Sequence, residues 1–362
     1  MNHRLYLLAL ALAASCTPNR PTITPTPPIT VTPAPPTPAP PTPIPDPEYR
    51  GVNLNGADFG ECCPGIEGRN YGWPTTAEVD YFRAKGMNTF RIGFRWERLQ
   101  PALNGELDAI YGGKLAALVA YATSAGATVF LNPQNFARYN GAIIGSAAVP
   151  SAAFADFWRR LALRYKGNAR VAFGLVNEPH SMPTEQWLTA ANAAIAAIRT
   201  AGAPNLISIP GNGWTGAMHW SSKWYGTPNS EIMLNVVDPA NQYVFEVHNY
   251  FGADGSGGEP ECVSGTIGSE RMANVVAWAR TNRKRVWLGE IGAPNTLTCA
   301  AAVKDLLAYV VINADVIVGW TWWSAGPRWN EYPLSIEPRA DGSPRPQLAW
   351  LLPFLQPSLL PR

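Results

Sequence analysis

The sequence predicts a (β/α)8 barrel preceded by an export signal and a proline-rich linker. Three observations carry the prediction: eight short apolar runs recur along the chain, stretches with helical periodicity separate most of them, and polar or ionisable residues follow almost every run. The first two observations would also suit an open, doubly wound sheet. The third favours the barrel, because parallel barrels place their functional residues at the C-terminal ends of the strands.

The N-terminal segment, residues 1–16, is predicted to be a signal peptide. Its apolar run over residues 5–14 is shorter than the roughly 20 residues that a membrane span needs, but it suits a secretory signal. The run ends in the sequence LAASC, which resembles the lipobox of bacterial lipoproteins. We therefore expect lipid on Cys16, with ordinary signal cleavage as the alternative.

Residues 17–48 form the predicted linker. Residues 18–47 hold 14 of the 35 prolines, interleaved with threonine, and residues 21–45 contain no charge and no aromatic ring. Such a segment cannot bury a core, so we expect an extended spacer. A ligand for a proline-binding module is the alternative.

Residues 49–362 are predicted to form the barrel domain. The candidate strands are residues 51–54, 89–92, 128–131, 172–176, 206–209, 243–247, 286–289 and 317–320. The candidate helices are residues 77–85, 114–125, 152–165, 185–200, 269–282 and 300–312.

The charge balance excludes some classes of partner. With 28 basic and 26 acidic side chains the net charge is +2, so the sequence predicts no nucleic-acid partner. Only 15% of residues are charged, whereas there are 14 Trp, 13 Tyr and 12 Phe. This composition fits a surface that stacks on uncharged ligands, although each aromatic ring could equally fill the core.

Four cysteines remain if Cys16 carries lipid: Cys62, Cys63, Cys262 and Cys299. An even number in an exported protein predicts disulfides, and three pairings are open. Their spacing matches no common zinc pattern and histidine is scarce, so we expect no metal and no other cofactor.

Two carboxylates, Glu178 and Glu290, stand where apolar strands are predicted to stop. A lone carboxylate at a buried strand end is unfavourable unless something compensates its charge. On a barrel both side chains would point into the same mouth. Two facing carboxylates are what cleavage of a glycosidic bond requires, whereas a salt-bridged strand end is the alternative for either one alone.

Five motifs at predicted strand ends resemble glycoside hydrolase family 5 of clan A, and within it the endoglucanases of subfamily five. The resemblance runs from residue 51 to about residue 338. The motifs are Phe90-Arg91 followed by residues 97–101, Asn177-Glu178-Pro179, His248-Asn249-Tyr250, Gly289-Glu290 and residues 323–327.

This resemblance implies a role for each matching residue. Glu178 would be the general acid and then the general base, and Glu290 the nucleophile that forms a glycosyl-enzyme. Arg91 and Tyr250 would hydrogen-bond Glu290 and keep it ionised. His248 would bridge toward Glu178.

The same resemblance assigns the sugar contacts. Asn177 would bind the 2-hydroxyl of the attacked sugar, and Trp323 would form the floor on which that sugar stacks. Further aromatic residues, Trp214, Trp220, Trp224 and Trp329, follow strands five and eight, and Trp214 and Trp329 are taken as candidate ligand contacts.

The family also suggests a disulfide between Cys262 and Cys299, which would join the loops after strands six and seven. Cys62 and Cys63 would then be a second pair, although adjacent cysteines rarely bond to each other because the ring is strained.

The subfamily resemblance implies a retaining endo-β-1,4-glucanase that hydrolyses cellulose-type β-glucans. We also expect a monomer that needs no cofactor. Mannan, xyloglucan or mixed-linkage glucan are alternative substrates, and a non-catalytic carbohydrate-binding lipoprotein is the alternative of another class. We expect a secreted or cell-surface protein. With lipid on Cys16 it would be a bacterial outer-membrane lipoprotein.

One position departs from the family pattern. After strand three the family has His-Asn-Tyr, whereas here Gln134 and Asn135 are followed by Phe136. Glutamine can donate and accept a hydrogen bond but cannot carry a charge. Our hypothesis is that Gln134 keeps the sugar contact of the family's histidine while it changes the pH response or lowers the rate.

Replacing this residue tests the hypothesis. We expect Gln134→His to change the pH–rate profile or raise kcat, because an ionisable side chain then faces the sugar. Initial rates on soluble cellulose measured across pH check it. Identical profiles and rates for the two proteins would contradict the hypothesis.

Overall fold

In a computed structural model, which describes residues 47–60 and 64–356, eight parallel strands close into one barrel. Each strand pairs with its neighbours in sequence, and the last pairs with the first. The strands are β1 (Tyr49–Leu54), β2 (Thr89–Phe94), β3 (Thr128–Pro133), β4 (Val171–Gly174), β5 (Ile207–Pro210), β6 (Tyr243–Tyr250), β7 (Val286–Gly292) and β8 (Ile317–Ala325). The predicted barrel and its eight strands are confirmed.

Helices cover the outside of the barrel, and the six predicted ones are present with ends shifted by a few residues. They are α1 (Thr76–Ala84), α2 (Ala109–Ser124), α3 (Ser151–Tyr165), α4 (Thr184–Thr200), α5 (Ile267–Thr281) and α6 (Leu297–Ile312). Side-chain caps explain where some begin. Thr75 and Glu78 form a capping box at α1, and Asp108 accepts the first free N–H groups of α2.

Short elements occupy the remaining connections. A helix follows β2, an antiparallel hairpin follows β3, and one helical turn between two 3-10 turns lies between β5 and β6. In this order, these elements are Trp96–Leu99, the hairpin Arg138–Tyr139 with Ala142–Ile143, Ala217–His219, Asn229–Ile232 and Met233–Asn235. Two further helical turns near the C-terminus are Leu348–Leu351 and Leu352–Phe354.

The lower interior of the barrel is apolar. Phe130 of β3 stacks on Trp287 of β7 at 4.0 Å between ring centroids, and Tyr49 of β1 packs edge-on against Phe130. Inward-facing residues alternate along a strand. On β6, Val244 lies in this apolar layer, and the following inward position is Glu246, which is 1% exposed. The apolar layer therefore closes one end of the barrel and leaves a polar layer toward the other.

Most strands end a few residues from the predicted position, and two of these differences concern the candidate carboxylates. The strand expected over residues 172–176 ends at Gly174, and Glu178 lies beyond it with a φ of 41°. A positive φ cannot continue a strand. The strand expected over 286–289 runs to Gly292, because β7 resumes pairing with β6 after a register shift. Glu290 is therefore within its strand.

Several predictions lie outside the described residues. These are the signal peptide, lipid attachment at Cys16, residues 17–46 of the linker, and the pairing of Cys62 with Cys63. Within the described ranges, no helix combines the length and apolar character that crossing a membrane requires.

The disulfide between Cys262 and Cys299 is confirmed. It joins the loop after β6 to the first turn of α6, with 5.2 Å between the Cα atoms and a sequence separation of 37. Both residues are buried. The crosslink therefore ties the β6 loop, which lies beside the barrel mouth, to a helix of the outer layer.

Removing this disulfide should destabilise the fold. The unfolded chain regains the entropy of a loop of this length, so the double substitution Cys262→Ser with Cys299→Ser should lower the free energy of unfolding by about 2–4 kcal/mol. Chemical denaturation measures the change. Reductant should destabilise the wild type by a similar amount, and equal stability of wild type and variant would contradict the expectation.

Candidate active site

Glu178 and Glu290 face each other at the mouth of the barrel. Glu178 follows β4 and its side chain is 15% exposed, whereas Glu290 lies in β7 and is 3% exposed. One carboxylate oxygen of each lies within 4.8 Å of the other. The barrel therefore joins two residues that are 112 positions apart in the sequence.

The buried carboxylate of Glu290 is held from two sides. Arg91 Nη1 donates to its Oε1 at 2.8 Å, and the Tyr250 hydroxyl donates to its Oε2 at 2.7 Å. The pKa of Glu290 is raised overall: burial is the largest cause and the neighbouring charge of Glu178 adds to it, while the charges of His248 and Arg91 act to lower it. The two hydrogen bonds fix the orientation of the carboxylate.

Arg91 is the hub of the polar layer. The side chain comes from β2, is 1% exposed, and donates to four acceptors at 2.7–2.8 Å. The acceptors are side-chain oxygens of Asn53, Asn177, Glu246 and Glu290. A guanidinium with this many fixed partners sets the relative positions of the strands that carry them.

His248 connects Glu178 to a second buried carboxylate, that of Glu246. Its Nδ1 lies 2.6 Å from Glu178 Oε1, and its Nε2 lies 3.0 Å from Glu246 Oε1. Burial acts to lower the pKa of His248, but the charges and hydrogen bonds of Glu290, Glu178 and Glu246 raise it to about 9. The imidazole is therefore cationic at neutral pH and donates from both nitrogens.

Glu246 is the site residue that the sequence analysis missed. Burial acts to raise its pKa, but the charge of Arg91, together with His248 and a hydrogen bond from Ser208, lowers it to about 2. The sequence signal that could have identified it is a glutamate inside an apolar strand. This glutamate stands two residues before His248 and therefore lies on the same face of the strand.

Gln134 faces the cleft, whereas Asn135 binds other parts of the protein. Gln134 lines the open cleft beside Trp323, and its Oε1 accepts from Asn132 at 2.5 Å. Asn135 accepts from the backbone of Trp96 and donates to Glu97 at 2.6 Å, so both ends of its amide bind protein. Asn135 therefore holds the loop after β3 in place.

The predicted aromatic residues differ in location: some lie at the cleft, some line a second pocket, and one lies in the core. Trp323 lines the cleft on the β8 side, while Trp329 packs behind it, with its centroid 5.5 Å from that of Trp323 and stacked on Tyr332. Trp214 is 40% exposed and, with Trp224, lines a second pocket that includes Glu178. Trp220 is 1% exposed and belongs to the core.

A closed parallel barrel with a facing carboxylate pair and aromatic walls defines a glycoside hydrolase of the two-carboxylate type. The chain belongs to glycosyl hydrolase family 5, the cellulase family, because residues 48–326 match the sequence profile of that family.

Several proteins that are similar to this chain are endoglucanases. An endo-beta-1,4-glucanase B of Aspergillus niger is 39% identical over 292 residues, which cover 80% of this chain and 85% of the relative. The structure of an endo-beta-1,4-glucanase from Xanthomonas axonopodis pv. citri superposes with a TM-score of 0.83 at 43% identity, over 85% of this chain and 98% of that one. The structure of Pseudomonas stutzeri endoglucanase Cel5A in complex with cellobiose superposes with a TM-score of 0.78 at 34% identity, over 86% of this chain and 93% of that one.

The raised pKa of His248 has a consequence for stability. The contribution of the protonated His248 to the free energy of unfolding is complete below the ordinary pKa of 6.5. It is lost as the pH rises toward about 9, because only the folded protein keeps the proton on His248 in that interval. The free energy of unfolding of the wild type, minus that of His248→Asn, should therefore fall by roughly 3 kcal/mol between these pH values. Denaturation in urea at several pH values measures it; a difference independent of pH would contradict the cationic imidazole.

Proposed function

We propose that this protein is a retaining endo-β-1,4-glucanase that hydrolyses cellulose-type β-glucan through a covalent glycosyl-enzyme. The observation that carries the proposal is the carboxylate pair, whose nearest oxygens lie within 4.8 Å. Retaining enzymes hold their carboxyl groups about 5–5.5 Å apart, whereas inverting enzymes need about 6.5–9.5 Å to admit a water molecule. A nearest-oxygen distance below 4.8 Å is compatible with the retaining separation. Membership of glycosyl hydrolase family 5, a retaining family, supports direct attack by one carboxylate.

Glu290 is the nucleophile in this proposal. Arg91 and Tyr250 hold its two oxygens, so the carboxylate cannot turn away from the cleft. Its lone pair attacks the anomeric carbon, the glycosidic bond breaks, and the sugar becomes an ester of Glu290. Burial favours the neutral ester over the free anion, while the nearby cations favour the anion in the resting enzyme.

Glu178 is the acid and then the base. It is the more exposed of the two carboxyl groups, and it lines the pocket that also contains Trp214 and Trp224. In the first step its proton moves to the oxygen of the departing chain. In the second step it removes a proton from water, which attacks the ester and releases the sugar with its original configuration.

Asn177 and Trp323 would hold the sugar that is attacked. Arg91 engages the amide oxygen of Asn177 at 2.7 Å, which leaves the amide nitrogen, the donor end, for a substrate hydroxyl. Trp323 offers a flat apolar face to the C–H side of the ring, and Trp329 and Tyr332 support it from behind. Gln134 supplies a polar contact at the same wall.

The names of the relatives favour β-1,4-glucan among the possible polymers. The Aspergillus niger relative is an endo-beta-1,4-glucanase, and the Pseudomonas stutzeri structure contains cellobiose. Aromatic rings on both sides of the carboxylate pair suit a chain that extends past the cleaved bond in each direction. That arrangement fits cleavage within a polymer.

Export is part of the proposal. The buried Cys262–Cys299 disulfide supports an oxidising compartment, since such bonds are rare in the cytosol. Lipid on Cys16, attachment to an outer membrane and a monomeric state remain predictions.

Substitution of the two carboxylates tests the mechanism. Glu290→Gln should lose activity on carboxymethyl-cellulose by about 10⁴-fold or more, because the covalent step is removed. Glu178→Gln should lose about 10²–10⁴-fold on the polymer. On an aryl cellobioside whose leaving group needs no proton, the first burst of aryl release should be largely spared, while later turnover is slow because the second step lacks its base. Reducing-sugar and aryl-release assays measure both rates.

Controls and alternatives can be assayed together. Glu331→Gln, at an exposed glutamate, is the matched control and should retain full activity. Mannan and xyloglucan assayed beside cellulose distinguish the polymers, and proton NMR of the first product should show the β-anomer. Initial formation of the α-anomer, or activity in Glu290→Gln, would refute the mechanism.

A further inference from the structure

Glu246 is a third carboxylate of the site, and four donors from four strands converge on it. Its Oε1 accepts from Arg91 Nη2 at 2.7 Å and from His248 Nε2 at 3.0 Å. Its Oε2 accepts from Ser208 Oγ at 2.6 Å and from Trp287 Nε1 at 3.3 Å. The side chain is 1% exposed. Its charge is therefore fully enclosed and fully hydrogen-bonded.

A glycine on the neighbouring strand β7 makes room for this carboxylate. A Cβ atom at position 289 would lie 2.5 Å from Glu246 Oε1, which is closer than Cβ atoms normally approach. Gly289 immediately precedes Glu290 on β7. A side chain there would displace Glu246 from its donors, so the backbone next to the proposed nucleophile is shaped around Glu246.

Glu246 reaches both proposed catalytic carboxylates through intermediaries. Arg91 donates to Glu246 with one nitrogen and to Glu290 with the other. His248 contacts Glu246 with Nε2 and Glu178 with Nδ1. Arg91 thus joins Glu246 to Glu290, and His248 joins it to Glu178 and also to Glu290, whose Oε2 lies 3.4 Å from Nδ1. Glu246 itself does not line the described pocket around Glu178.

Charges of both signs meet around Glu246. Arg91 and His248 are the cations that face it, and Glu290 and Glu178 are the other carboxyl groups around His248. Without the charge of Glu246, these two cations would face the proposed catalytic pair with one buried counter-charge fewer.

We propose that Glu246 is a positioning residue for hydrolysis, which holds His248 in its doubly protonated form against Glu178 and fixes the guanidinium of Arg91 against Glu290. This role rests on the proposed function. Both ring nitrogens of His248 face carboxylates, so the ring needs a proton on each, and Glu246 supplies the acceptor for the second. The pKa values of Glu246, lowered to about 2, and of His248, raised to about 9, agree with this arrangement.

Replacing the charge while keeping the shape tests the role. Glu246→Gln removes one negative charge from the group, so His248 should release its proton more easily and then no longer donate to Glu178. We expect kcat to fall at least about tenfold with KM little changed. The basic limb of the pH–rate profile should move about one pH unit or more to lower pH. An unchanged profile in a folded variant would overturn the proposal.

Asp238→Asn is the matched control. Asp238 is also a carboxylate with no exposed surface, paired with Arg199 by two nitrogens at 2.7 and 2.8 Å, and it is not among the groups around Arg91 or His248. Its substitution removes a buried charge of the same sign and should leave the pH profile in place. A profile that moves as far in Asp238→Asn as in Glu246→Gln would reduce the role of Glu246 to general stability.

A second measurement does not depend on activity. NMR of the imidazole nitrogens of the wild type, with His248 identified by comparison with His248→Asn, should show a doubly protonated ring at pH 7.5; a neutral ring there would overturn the proposal. In Glu246→Gln the ring should titrate about one pH unit or more lower. If the wild type proves inactive on β-1,4-glucans, the proposed function fails, while this titration still decides whether Glu246 holds the proton on His248.

Discussion

The guanidinium of Arg91, buried inside the barrel, is the interaction on which the rest of the site depends. An uncompensated charge in such a place would be strongly unfavourable. Four oxygen acceptors from four parts of the chain surround it, and two of them are carboxylates. The need to satisfy this one cation determines where Glu290, Asn177 and Glu246 can stand, and therefore where a substrate could react.

This constraint also explains the two layers of the interior. Phe130 and Trp287 close the lower part with stacked rings, so water cannot reach the charges from below. The Trp287 indole then donates upward to Ser208 at 2.8 Å, within the polar layer. Because water is kept to one side, the electrostatic interactions above the apolar layer are strong, and they are directed toward the cleft.

The division of labour between the two proposed catalytic carboxylates follows from their backbones. Glu290 belongs to a strand with paired neighbours on both sides, so its position is rigid. Glu178 lies beyond β4 at a positive φ, partly exposed, and its nearest restraint is the imidazole of His248. A fixed carboxylate suits bond formation at one carbon, and an accessible one suits proton exchange with the departing sugar and with water.

The sequence by itself determined the barrel, the order of its strands, and the identity of the facing pair, because periodicity and short motifs are local signals. The family resemblance implied Arg91, His248 and Tyr250 as site residues, and it also implied the pairing of Cys262 with Cys299. Glu246 was missed, because a glutamate inside an apolar strand has no local mark that separates a site residue from a structural ion pair.

Only the tertiary structure decided which side chains touch. Arg91 and Glu246 are 155 residues apart, and their contact exists because strands β2 and β6 face each other across a closed barrel. The same closure placed Trp220 in the core and Trp329 behind Trp323, although the sequence shows all three as tryptophans near strand ends. Contacts across the barrel depend on how the strands are staggered around it, which is a property of the assembled sheet and of no single segment.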